Sequence, residues 1–114
     1  MEEKKICNCV LDFLSILDAI SGINNGTKIY HGEKHRQLDK KSLEEIKDRI
    51  HLDVRRTEKA IERVNKSCEV ELKDDGLLEA VEYRIEHDEI PERIYNLTGR
   101  LKNSIIADLT IQCR

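Results

Sequence analysis

The stretch SLEEIKDRIHLDVRRTEKAIERVNKSCE, residues 42–69, decides the fold. Its apolar positions Leu43, Ile46, Ile50, Val54, Ile61, Val64 and Cys68 recur at threes and fours, with one gap of seven filled by Thr57. That spacing puts them on one face of an α-helix and sends the charged residues between them to the other. Ser42, with Glu45 three residues later, reads as a capping box that opens the helix. At a rise of about 1.5 Å per residue the helix is roughly 40 Å long, whereas a compact chain of this length is only about 34 Å across. The reading is therefore an elongated bundle, or a dimer built on this helix.

Upstream, KICNCVLDFLSILDAI (residues 5–20) carries a second helical stripe of Ile6, Cys9, Val10, Phe13, Leu17 and Ile20, widened by Cys7, Leu14, Ile16 and Ile23. Only Asn8, Asp12, Ser15 and Asp18 supply a polar side. An apolar arc this wide exceeds what an ordinary surface helix needs, so the segment is expected to be buried on two sides. Phe13, Leu14, Ile16 and Leu17 are the expected contact residues for another protein or a second copy. The run is shorter than the ~20 apolar residues that cross a bilayer, and two aspartates interrupt it. With no secretory leader in MEEKK, the expectation is a cytoplasmic protein whose four cysteines, Cys7, Cys9, Cys68 and Cys113, are reduced thiols.

Between the two helices, Gly22, the Asn25-Gly26 pair and Gly32 read as turn signals. They give an expected long connection at 22–41. Downstream, Asp74, Asp75 and Gly76 break the pattern; Leu77, Leu78, Val81 and Ile85 then suit a short helix. Pro91 fits the first residue of a last helix, whose inward stripe is Ile94, Leu97, Leu101, Ile105 and Leu109. The fold class expected is all-α, an elongated four-helix bundle forming a single helical domain over 1–114. A competing signal comes from residues 27–30, 68–72 and 105–113: the last two alternate apolar and polar at period two, and the three together would make a small sheet in an α+β fold.

Function is less legible. Charged residues make up 38% of the chain and the net charge is -3, which disfavours a general polyanion binder. Basic residues nonetheless outnumber acidic ones from Lys28 to Lys66, and Arg55, Arg56, Lys59, Arg63 and Lys66 gather along one side of the long helix with Tyr30 as the nearby aromatic. They carry the alternative of a nucleic-acid-binding regulator. Cys7, Cys9, His31 and His35 are the one set with four zinc-ligand types, the second alternative being a zinc-binding or redox protein, although two cysteines two residues apart point to different sides of a helix. Acid pairs at helical spacing, such as Glu79/Glu82 and Glu86/Glu89, arise readily in a chain with 23 acidic residues. No phosphate-cradling loop or nucleophile elbow is present. The first expectation is a non-enzymatic protein without a cofactor that acts by protein–protein association, as a homodimer or on a regulatory partner.

Overall fold

A computed structural model of the chain describes residues 2–36, 39–87 and 91–112, with side chains described from Asp12 onward except those of His35 and Gln112. Four helices form among these residues: α1 (Glu2–His35), α2 (Lys40–Cys68), α3 (Leu77–Glu86) and α4 (Pro91–Gln112). The protein is an elongated all-α four-helix bundle of 55 × 19 × 16 Å. Its length is that of α1, whose 34 residues span about 51 Å.

Helix α2 confirms the reading of its stripe. Ile50, Val54, Thr57, Ala60, Ile61, Val64 and Cys68 are buried along one face. Its start differs from the expected capping box. Asp39 is the N-cap, and its side chain accepts the backbone N–H of Ser42 at 2.7 Å. That bond holds the Asp39 carboxyl below the usual carboxylate range, because the ionised form is the better acceptor. At the other end Glu69 adopts a left-handed backbone with φ 54°, which stops the helix and turns the chain back along it.

The structure corrects the long connection expected at 22–41. Helix α1 continues through Gly22, Gly26 and Gly32 to His35, and α2 begins at Lys40. Gly22 and Gly26 thin the helix where α2 packs against it. A Cβ at Gly22 would come within 2.7 Å of the Asp53 carboxylate, and one at Gly26 within 2.7 Å of Ile50 Cγ1. Small residues let two helix backbones approach, and packing repays their poor helix propensity.

The α+β alternative is also corrected. No strand forms among the described residues: 27–30 belong to α1, and 105–112 to α4. The period-two pattern at 68–72 has a different cause. After Glu69 the chain forms neither helix nor strand as far as residue 74, burying Val70 and Leu72 and exposing Glu71. Asn65 stands in for a sheet partner: its side-chain amide donates to the Leu72 carbonyl at 3.0 Å and its carbonyl accepts the Leu72 N–H at 2.7 Å.

Adjacent helices run antiparallel. Asp18 on α1 lies beside Arg56 on α2, and Gly26 beside Ile50. Thr98 on α4 donates to Asn24 on α1 at 2.8 Å. One hydrophobic core runs through all four helices, from Ile16 and Ile23 through Val54 and Val64 to Val81, Leu101 and Ile105.

Candidate functional site

The exposed side of α2 is densely charged, and its neighbours divide the charges by sign. Towards α1, Arg56, Lys59 and Arg63 form one wall of an open groove of about 450 Å³, with Leu14, Ala19 and Ala60 along its bottom. Leu14 is 52% exposed there. Arg56 bridges the two helices, 2.9 Å from Asp53 and 3.5 Å from Asp18. Exposed pairs of this kind contribute at most about 1 kcal/mol each, so their main effect is to orient the guanidinium over the groove.

Towards α3 the sign reverses. Glu58, Glu62, Asp74 and Asp75 surround a second open groove of about 500 Å³, with Ile61, Leu72 and Leu78 beneath and Lys73 at its edge. The Glu58 carboxyl is pushed above the ordinary carboxylate range, by desolvation first and then by the charges of Glu82, Asp74 and Glu62; Arg55 opposes the shift. This groove thus carries negative charge in excess of its own counterions. Further along, His51 reaches from α2 to α3, with Nε2 at 2.6 Å from Glu86 and Nδ1 at 3.3 Å from Glu82.

A narrow cleft lies at the opposite end, where Thr27, Tyr30, Ile50, Ile85, Pro91 and Ile94 converge. Its volume of about 30 Å³ suits a single water and not an organic substrate. Tyr30 lines this cleft and faces Lys47, whose ammonium is 5.4 Å from the ring centroid. It is therefore occupied away from the cationic wall, where it was expected as a stacking platform.

The four expected contact residues on α1 are separated by burial. Ile16 is 0% exposed and belongs to the core, which removes it as a contact residue. Phe13 packs against that core, and Leu17 is half-buried. Leu14 alone of the four is broadly exposed. Arg55, Arg56, Lys59, Arg63 and Lys66 are all on the exposed side of α2, as expected.

The zinc set is not brought together. Residues 9 and 31 both lie on α1, and a continuous helix separates them by about 33 Å along its axis. One ion cannot take ligands from both ends. His31 is exposed near the end of α1, while the side chains of Cys7, Cys9 and His35 lie outside the described set. No group of three or more potential metal ligands occurs among the described residues. The expectation of reduced thiols is also corrected: Cys68, 5% exposed at the end of α2, is disulfide-bonded.

The acidic groove was missed in the sequence. Glu58 and Glu62, four residues apart, were legible only as acids interleaved among cations; the α2–α3 packing that sets them beside Asp74 and Glu82 has no local signature. No helix among the described residues is long and apolar enough to cross a membrane. Comparison with known proteins gives no match: no family model fits the chain, and no curated protein or solved structure is significantly similar to it.

Proposed function

We propose that this chain is a self-associating helical module that acts by protein–protein contact, the cationic groove of one copy meeting the acidic groove of another across their α2 ridges. The observation that carries the reading is the opposite charge of the two grooves flanking one helix, Arg56, Lys59 and Arg63 on one side and Glu58, Glu62 and Asp74 on the other. A two-fold axis parallel to α2 makes the exchange reciprocal, since it sets each cationic side beside the partner's acidic side. The antiparallel pairing would place like charges together. Leu14 supplies an apolar anchor, and Glu58 gains cations beyond the single opposing charge of Arg55. Contacts dominated by rim charges set register more than strength, so the association is weak and salt-sensitive.

Two charge-reversed proteins test this. Lys59→Glu with Arg63→Glu makes both flanks acidic, and Glu58→Lys with Glu62→Lys makes both basic. All four positions are exposed, so the folds should survive, as circular dichroism will show. In sedimentation velocity at low salt the unmodified protein is expected to associate, each variant alone to remain monomeric, and their equimolar mixture to associate again. A mixture that stays monomeric while the unmodified protein associates would overturn the pairing.

A further inference from the structure

The disulfide at Cys68 directs attention to the end of the bundle at which α2 stops. Asp18 opposite Arg56, Gly22 opposite Asp53 and Gly26 opposite Ile50 fix the register of α1 against α2. Asn24 opposite Thr98, and Thr27 sharing a cleft with Ile94, fix α1 against α4. In both pairs each residue toward the start of α1 is matched by one toward the end of the facing helix. Continued along the helices, this register brings position 7 of α1 to within about one turn of position 68, and position 9 near the end of α4, which Cys113 directly follows in sequence.

Helical phase points the same way. Position 9 precedes Ile16 and Ile23 by one and two heptads, and both of those are fully buried. Position 68 follows Ile61 by one heptad on the buried face of α2, while Cys113 follows Ile105 and Leu109 at successive intervals of four in sequence. Position 7 precedes Leu14 by a heptad, on the side of α1 that borders α2. Positions 7 and 9 of α1, position 68 of α2 and the end of α4 therefore lie toward one end of the bundle.

We infer that Cys7, Cys9, Cys68 and Cys113 form two intrachain disulfides that clasp α1, α2 and the end of α4: the bond already made by Cys68 goes to one cysteine of α1, and a second joins the other cysteine of α1 to Cys113. Each bond forms as two thiols lose two protons and two electrons to a disulfide oxidant of the oxidised-glutathione class, which is released as two thiols. Such a clasp persists in an oxidising compartment and not in a reducing cytosol. The clasp rests on helix register and does not depend on the association proposed above.

Differential alkylation tests it on the full chain. The protein is refolded in a glutathione redox buffer, denatured, treated with iodoacetamide before or after reduction, and weighed intact. The expected result is no alkyl groups before reduction and four after it, on a monomeric chain, with proteolysis of the non-reduced protein linking the peptide that holds Cys7 and Cys9 to peptides holding Cys68 or Cys113. Two alkylatable thiols before reduction, a Cys7–Cys9 bond, bonds only between chains, or four thiols retained with a bound metal ion would each overturn the inference. A circular dichroism spectrum of the oxidised protein verifies that the fold weighed is the helical one.

Discussion

Replacing Gly26 and Gly32 separately by alanine should move stability in opposite directions, because one glycine is a packing contact and the other is not. Alanine in a helix interior is favoured over glycine by about 1 kcal/mol. At Gly32 the new Cβ would meet nothing within 4 Å, so most of that gain is retained. At Gly26 the Cβ would be 2.7 Å from Cγ1 of Ile50, a stiff β-branched side chain in a fully buried position. Overpacking of that kind costs about 1–3 kcal/mol, and after subtracting the propensity gain Gly26→Ala is expected to lose about 1 kcal/mol. Taking about 4 °C per kcal/mol for a chain of this size, melts followed by far-UV circular dichroism should shift down by about 4 °C for Gly26→Ala and up by about 3 °C for Gly32→Ala. Stabilisation by Gly26→Ala, or destabilisation by Gly32→Ala, would refute a continuous α1 packed closely on α2. A turn at either position, as the sequence suggested, would give a different pair of signs.

Other expectations follow from single contacts. Asn65→Ala removes both hydrogen bonds to Leu72 and leaves its buried backbone N–H and C=O without partners, a loss of about 2–3 kcal/mol that urea denaturation will measure, with amide exchange faster at Val70–Leu72. Glu58→Gln should raise the melting temperature at neutral pH. The folded-state pKa of Glu58 is raised, so its ionisation disfavours the folded state once the pH rises through that pKa; the gain should vanish below about pH 4, where the carboxyl is protonated folded or unfolded. Asp39→Ala has the reverse dependence. Its depressed pKa means that the cap stabilises above the ordinary value of 3.8 and is lost as the pH falls through the lower folded-state value, so the variant's melting temperature should converge with that of the unmodified protein in acid.

The parts of the fold legible in sequence are those governed by local period and by strong punctuation. The stripe of α2 and the start of α4 at Pro91 follow from residue spacing and from proline's missing N–H. Glycine was the misleading signal. Gly22 and Gly26 have the composition of a turn, but their role is set by Asp53 and Ile50, 31 and 24 residues away in sequence. Period-two alternation was ambiguous for a similar reason: α4 needs only Ile105 and Leu109 on its inner side, and it leaves Ile106 and Ile111 exposed at 39% and 69%. The candidate site was legible as a list of cations. Its division into a cationic and an acidic groove depends on which helices border α2, and the separation of Leu14 from the buried Ile16 depends on the azimuth at which α1 packs. Neither is encoded within one segment.

The most direct test of the association reading is a native mass spectrum of the oxidised, untagged protein over a concentration series at low ionic strength, beside a denatured control. A non-covalent dimer at twice 13.3 kDa that grows with concentration and dissociates as salt is raised is the predicted result. A species that remains at 13.3 kDa at every concentration and salt level would contradict self-association through the flanks of α2.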